Sequence, residues 1–528
     1  MTGDIEDFPA LNPLPCYKVD VEDGMVYVSI QQRDLMYSSR YSRLIIPTPS
    51  YKTDETFVVI GGGPAAAICL EYLRRFGFTG RLLAFMKDAE LPYDRTRLND
   101  NLAVDVNTIL LRNQEFYDQM RAEVFLSTSV VHMSAKDKTL VRSDGGVTSF
   151  DKVFIATGCE AKRLSQDVPG AMDAIGGDIA YAPLHPYFNT TTTGSHYQIA
   201  QVHGKTAASN MLGKPEPLKT IPFINVSLGE INLQYAGWIK NVDNVEIIGS
   251  LNEMKFAAYY MVGDKATGIV TCRLPGLASK FAESIHMEKY VQRHALHDHA
   301  WSQHLFTCDV HDRDMDYDLD LDKLREMGLV PFHIKHCSWW KLEEHHRDFI
   351  FENSINPPKR LSQDVPGAMD AIGMFYLRTP SDANAIYAAL NEDLDLVVVG
   401  SSYLAMEMAV SCLPHVNSLT MISRSAYPFH KVFGQVLGRR LLNFYKDKGI
   451  IMRTSVKVVK VEMNPDTLAM TGIILSDDSI IRTQMVIVCV GDTFATRFLK
   501  GSGVEMTPEG AVPVDQYLTT NIPTEQNG

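Results

Sequence analysis

Cysteine is sparse in this chain. Its eight residues (Cys16, Cys69, Cys159, Cys272, Cys308, Cys337, Cys412 and Cys489) stand more than five positions apart. That scatter excludes a CxxC redox pair, a zinc knuckle and a disulfide framework, and it suits a reducing compartment. Positive charge is short as well: 50 Lys and Arg stand against 63 Asp and Glu, a net −13. Nucleic acid is thereby excluded as a main partner, because phosphate binding needs a basic face. Long apolar runs are missing too. MVIVCV and FAAYYMV are strand-sized and far below membrane-spanning length, so no membrane partner is expected. The opening MTGDIEDFPALN is acidic and proline-bearing, unlike a secretory signal or an Arg-rich transit peptide. A soluble, cytoplasmic protein is expected.

The 528 residues, 45% of them hydrophobic, suffice for three or four domains that each bury a core. One feature of the order stands out. Residues 162–176, KRLSQDVPGAMDAIG, recur letter for letter at residues 359–373. A structural repeat drifts, so fifteen consecutive identities mark a junction in the chain rather than a repeat. The first copy runs into GDIAYAPLHP and the second into MFYLRTPSDANAI; the second continuation reads as natural and the first as a cut.

Two stretches share a strand, glycine-turn, helix grammar. The first is TFVVIGGGPAAAICLEYL at residues 56–73. Gly61 allows the tight turn, Gly63 lets the backbone approach a pyrophosphate, and Ala66 permits close packing of helix on strand. The helix N-terminus then offers free N–H groups to phosphate. Asp88, after the strand RLLAFM, is either the acid that holds a ribose hydroxyl or an exposed turn aspartate. Downstream, Ala156-Thr157-Gly158 follows another buried strand, a turn that flavoprotein reductases place beside the flavin nucleotide.

The second stretch, DLVVVGSSYLAMEMA at residues 395–409, has Gly400 at the turn, Ser402 at the second glycine position and Ala405 at the third. Its next strand ends in Ser423-Arg424, where an NAD-type site would carry an acid. A guanidinium fork there favours a 2′-phosphate and hence NADPH over NADH; a solvated Arg424 is the bland alternative. Strand residues 486–490 end in Gly491. Two such sites without redox cysteines imply that one holds FAD, the other NAD(P)H, and that hydride passes between them.

These residues resemble the pyridine-nucleotide–disulfide reductase superfamily, and within it the apoptosis-inducing-factor-like and oxygenase-coupled ferredoxin reductases. LPYDRTRL (residues 91–98), LRTPSDANAI (377–386), AVPVDQYLTTNIP (511–523), GDIA (177–180) and HYQIAQVHGKTAASNMLG (196–213) carry the likeness. It implies an α/β fold with two Rossmann-like three-layer nucleotide-binding domains and an α+β C-terminal-type domain that covers the flavin and dimerises. It implies FAD and NAD(P)H as cofactors, an iron–sulfur or other one-electron acceptor protein as partner, and a homodimer. Gly177 and Asp178 would form the turn against the ribityl chain, with a capping residue as the alternative for Asp178. Arg95 would meet the FAD phosphates or adenine end, or make a surface ion pair. His196, Tyr197 and Gln198 would lie at the flavin ring edge. Glu407 would be the acid beside the flavin N5. Its usual lysine partner is replaced by Asp100 in LND, and two carboxylates in one apolar site repel.

The family order is also broken. The second FAD segment directly follows the first, and the nicotinamide domain comes last. The expected division is 1–50, closing strands of a Rieske domain; 54–163 and 177–220, FAD-binding; 221–285, C-terminal-type; 286–358, a His-rich extension or linker; and 359–523, displaced NAD(P)H-binding. Cluster ligands of the CxH and CxxH kind are absent from residues 1–50, so that remnant reads as N-terminally truncated, which leaves a mitochondrial destination open. Ten of the sixteen histidines fall in residues 286–346 at irregular spacing, read as a solvated extension rather than a metal site. The expected activity is an FAD-dependent NAD(P)H oxidoreductase. Its rivals are a nucleotide-binding interaction protein with little turnover and a misassembled reading of the gene.

Overall fold

The computed structural model describes residues 11–12, 18–22, 25–29, 53–100, 102–161, 179–193, 197–239, 242–303 and 371–522. Near the N-terminus, Lys18–Glu22 and Met25–Ser29 form an antiparallel hairpin.

The first unit is a parallel sheet in the order Ala122–Phe125, Arg81–Phe85, Thr56–Ile60, Lys152–Ile155. Its two central strands, Arg81–Phe85 and Thr56–Ile60, are buried on both faces, which is why they read as continuous apolar runs rather than alternating ones. Helix α1 (Pro64–Arg75) follows the first strand. The short helices α2 (Arg97–Asp100) and α3 (Gln114–Gln119) lie in the crossover, and α4 (Tyr197–Met211) packs along α1. That packing is close: a Cβ on Gly204 of α4 would overlap the Ala65 carbonyl of α1.

Next in the chain is a five-stranded antiparallel sheet ordered Phe223–Leu228, Ile231–Gly237, Lys265–Cys272, Lys255–Val262, Asn244–Ser250, with α5 (Leu277–His286) on one face. Its central hairpin turns at Gly263, whose φ of +58° suits glycine. The second nucleotide-type unit follows, with α6 (Pro380–Ala389), α7 (Tyr403–Cys412) and α8 (His430–Asp447). Its parallel sheet runs Met374–Phe375, Met485–Val488, Asp395–Val399, Ser418–Ile422, Ile451–Arg453. Apart from the extra edge strand, this repeats the order of the first sheet. The α/β architecture expected from the sequence is therefore the one observed.

The segments that the chain order separates meet in space. Cys159–Ala161 pairs with Asp492–Phe494, and Ala180–Pro183 pairs in parallel with Val512–Pro513. Asn210 of α4 donates to the Tyr517 carbonyl and to Thr519 Oγ1, and the Leu218 N–H donates to the Gln516 carbonyl. Phe498, Leu499, Val504 and Val512 share one core with Val58, Ile60 and Phe85. Residues 492–522 thus pack into the first unit. The end of the second KRLSQDVPGAMDAIG copy is knit into the second unit: Ile372 exchanges backbone bonds with Leu468 and Met470, and Val486 N–H donates to Gly373. Gly373 has φ +116°, and a Cβ there would overlap the Gln484 carbonyl. The first copy, residues 162–176, lies outside the described residues.

The antiparallel sheet and the second unit share a core that includes Tyr235, Tyr260, Tyr403 and Phe433. Tyr260 hydroxyl donates to the Phe433 carbonyl at 2.9 Å, and Arg440 Nε donates to the Leu251 carbonyl at 2.9 Å. Five cysteines (Cys69, Cys159, Cys272, Cys412 and Cys489) are free and buried, and burial pushes the Cys69 and Cys412 thiols up, Cys412 to about 12. Of the His-rich extension, residues 286–303 are described. His299 Nδ1 lies 2.7 Å from the Tyr259 hydroxyl, and among the described residues no group of His, Cys, Asp and Glu could hold a metal.

His203 of α4 is 3% exposed, and desolvation lowers its pKa to about 4. The unfolded chain takes up this proton near pH 6.5 whereas the native state waits until about pH 4. The stability it contributes is whole above pH 6.5 and is lost as pH falls toward 4. Between pH 7 and 5 the wild type is expected to lose about 2 kcal/mol more unfolding free energy than His203→Gln. Urea melts at the two pH values check this; equal losses in both proteins would refute it.

Candidate dinucleotide-binding sites

Each parallel sheet ends in a glycine turn of the same shape. Gly61 has φ +133° and Gly400 has φ +138°. A Cβ on Gly61 would overlap the Ala156 carbonyl, and one on Gly400 would overlap the Cys489 carbonyl. In both units, then, the first strand leaves the sheet against the end of the last strand, and only glycine fits. Two residues on, Gly63 and Ser402 are the N-caps of α1 and α7, with near-identical extended backbones (φ −96°, ψ −178° and φ −81°, ψ 177°). Neither cap makes a side-chain hydrogen bond, and neither helix has an acid in its first turn. Both N-termini keep their partial positive charge for a phosphate. A Cβ on Gly63 would meet nothing within 4 Å, so space lies open over the first turn. Ala66 and Ala405 are fully buried where each helix crosses its sheet.

Thr157 Oγ1 and Gln198 Oε1 are buried and have no hydrogen-bond partner among the described residues. Such atoms cost about 1–3 kcal/mol each when left bare, so a polar group that donates to Gln198 Oε1 and bonds the Thr157 hydroxyl would fit them. Gly158 (φ +62°) and Gly491 (φ +103°) follow the last strand of each unit, at matching positions. Tyr197 is buried at the start of α4, and burial drives its hydroxyl pKa well above the usual value. Gly177, Asp178 and His196 lie outside the described residues.

Asp88 and Arg95 meet at 2.6 Å. Arg95 also donates to the Tyr93 hydroxyl at 2.6 Å and to the Arg378 carbonyl at 3.0 Å, in the link to the second unit. Burial pushes the Asp88 carboxyl up, but the charge and hydrogen bond of Arg95 outweigh it and hold the pKa below the usual value. Asp88 is therefore an ion-paired group beside the first site, and Arg95 ties that site to the interdomain link.

Glu407 is 2% exposed, one turn along α7 from Tyr403. Helix α7 packs against α2, the helix that carries Asp100, and against the strand Phe223–Leu228. The second unit thus lays its nucleotide-type helix on the crossover of the first. At the end of Ser418–Ile422, Ser423 is 2% exposed and its hydroxyl donates to Ser401 Oγ in the glycine turn at 2.8 Å. Arg424, by contrast, is exposed.

Sequence reasoning missed three participants. Tyr403 OH is buried without a hydrogen-bond partner among the described residues, with its pKa raised by desolvation first and by neighbouring tyrosines and Glu407 after it. The aromatic three residues after Gly400 was a readable signal. Tyr93 sits inside LPYDR, where the motif itself could have drawn attention to it. Ser401 had no local signal at all.

Two Rossmann-type units with paired glycine turns define a dinucleotide-binding fold. The sequence model of the family "Pyridine nucleotide-disulphide oxidoreductase" matches residues 55–192 and 357–524, and the chain belongs to that family. Human apoptosis-inducing factor 3 is 22% identical over 434 residues, covering 53% of this chain and 72% of the relative. The ferredoxin–NAD(+) reductase component of the p-cumate 2,3-dioxygenase system of Pseudomonas putida is 31% identical over 116 residues, 22% of this chain and 29% of that protein. Among solved structures, the covalent putidaredoxin reductase–putidaredoxin complex aligns with a TM-score of 0.46 at 13% identity, over 87% of this chain and 63% of that one. The chain thus spans less than two thirds of the last two of these proteins. Among the described residues no helix is long and apolar enough to cross a membrane.

Proposed function

We propose that this chain is an FAD-dependent NAD(P)H oxidoreductase that delivers electrons to an iron–sulfur or similar one-electron acceptor protein. The supporting observation is the duplicated turn: Gly61 and Gly400 stand in the same geometry at the ends of two sheets, and α7 of the second unit packs on α2 of the first. When bound, nicotinamide supplies a hydride and flavin accepts it, then releases electrons singly.

In this reading the residues of the chain bind and orient. Gly61, Gly63 and Ala66 would set the FAD pyrophosphate on the N-terminus of α1, with Thr157, Gly158 and Gln198 satisfied by the flavin side of the molecule. Gly177, Asp178, His196 and Tyr197 would complete that site. Gly400, Ser402, Ala405 and Gly491 would hold NAD(P)H on α7, and buried Glu407 would carry a proton or charge beside the reacting rings. Residues 54–163 and 177–220, closed by the tail 492–522, would form the FAD domain; residues 221–285 would cover it and could support a dimer. Likeness to a ferredoxin reductase component and to apoptosis-inducing factor 3 supports the partner class.

A second reading, an FAD-holding protein with little turnover, is favoured by one observation: α2, which carries Asp100 in place of the family's lysine, packs on the helix of Glu407. Steady-state reduction of an iron–sulfur ferredoxin by the purified chain with NADPH or NADH separates the two. Reduction supports the enzyme. Flavin retained without reduction, with activity gained in Asp100→Lys, supports the second reading.

A further inference from the structure

The second site carries a selectivity that the fold alone does not set. We infer that it is built for a 2′-phosphorylated adenosine, with Arg424 as the specificity-determining residue, an inference that rests on the nucleotide reading of that site.

Three observations converge. First, the strand-end position where a carboxylate would hold a ribose 2′-hydroxyl is filled by Ser423. Its side chain is turned inward, and its hydroxyl is engaged within the turn, by Ser401 Oγ at 2.8 Å and the Ser425 carbonyl at 3.1 Å. The Ser425 N–H donates back to Ser423 Oγ at 3.1 Å, which fixes the small turn that follows. At that position no carboxylate is left to accept from a ribose hydroxyl, and none is left to repel a phosphate. Second, Arg424 follows immediately, exposed, with no hydrogen bond or ion pair to any described residue. The arginine paired with this strand end is already engaged: Arg453 binds Asp477 and Ser479, each at 2.9 Å. Third, the local sequence is depleted of acids. Between Glu407 and Asp447 there is no Asp or Glu, while Arg424, Lys431, Arg439, Arg440 and Lys446 supply five cations, in a chain whose net charge is −13. Across the strand end, the Asp477 carboxylate is neutralised by Arg453.

An uncommitted guanidinium in an acid-free stretch, beside a strand end whose neutral residue is spent internally, is the arrangement that recognises a phosphate monoester. A neutral ribose hydroxyl gains little from it, because an exposed arginine gives up good hydration for a weak acceptor.

The test is calorimetric titration of the purified full chain with 2′-phospho-ADP-ribose and with ADP-ribose, which read the adenosine half without any redox step. The 2′-phosphorylated ligand is expected to bind about tenfold to a hundredfold tighter, the worth of one charge-assisted contact. Arg424→Ala is expected to remove most of that advantage without weakening ADP-ribose, and Arg424→Lys to keep part of it. Because Arg424 is exposed and bonded to none of the described residues, these variants leave the fold intact. Equal or tighter binding of ADP-ribose to the wild type overturns the inference alone. Binding of neither ligand overturns the second nucleotide site itself, and the inference with it.

Discussion

Gly61→Ala is expected to strip the protein of flavin while sparing NAD(P)H binding, and Gly400→Ala to do the reverse. Each glycine lies in a backbone region closed to L side chains, with φ beyond +130°. Each would drive its new Cβ into a main-chain carbonyl, of Ala156 in one case and of Cys489 in the other. Carbonyls of a buried strand cannot rotate away as a flexible side chain would, so the turn itself must move. Gly63 and the first turn of α1 move with it, or Ser402 and the first turn of α7, and the backbone N–H groups that would bind phosphate swing out of line together. Strain of about 1–3 kcal/mol per residue, added to the weakened phosphate hydrogen bonds, corresponds to a fall of roughly two orders of magnitude in affinity. Flavin absorbance after gel filtration and calorimetric titration of NADPH read the two sites separately. If either substitution erased both ligands while the far-ultraviolet spectrum stayed native, the assignment of one nucleotide to each turn would be wrong.

Glu407→Gln is expected to leave flavin content unchanged and to slow flavin reduction by about a hundredfold. The substitution keeps the volume of a side chain that is 2% exposed between α7 and its neighbours, so packing is conserved while the proton-carrying and charged functions are removed. Stopped-flow reduction at saturating NADPH isolates the step. A rate unchanged in Glu407→Gln would make the carboxyl a structural group and remove it from the chemistry. A lowered rate with lowered flavin content would instead point to a packing defect in α7.

Much of this was readable in one dimension because the determinants are local. The Gly61-x-Gly63-x-x-Ala66 spacing encodes its own turn and helix start, and the structure has the tight turn at Gly61 and the helix start at Pro64. Gly400, Ser402 and Ala405 carry the same information, with serine standing in because an N-cap at φ −81° needs no glycine. What the sequence could not show was pairing between distant side chains. Asp88 reads as a ribose acid or a free turn residue; its ion pair with Arg95, seven positions away and turned back by the LPYD loop, has no signal in the sequence. Ser423 reads as half of a Ser-Arg phosphate pair; the contacts of its hydroxyl with Ser401 Oγ and the Ser425 carbonyl could not be read from the sequence. Nor does periodicity reveal that residues 492–522 complete the first unit, since Val512–Pro513 is only a two-residue strand. That closure shows how a permuted order can still bring both FAD-type segments into one unit. The docking is held by the apolar packing of Phe498, Leu499 and Val512, which is indifferent to the order in which the chain visits them.

The central claim is that two nucleotides sit in two turns close enough to exchange a hydride. Its most direct measurement is anaerobic mixing of the purified, flavin-loaded chain with one equivalent of NADPH while the flavin absorbance is followed. Loss of the oxidised flavin band is expected in the first turnover, faster with NADPH than with NADH. Flavin that stays oxidised while calorimetry shows NADPH bound would contradict it, leaving a protein that holds both nucleotides but does not bring them together.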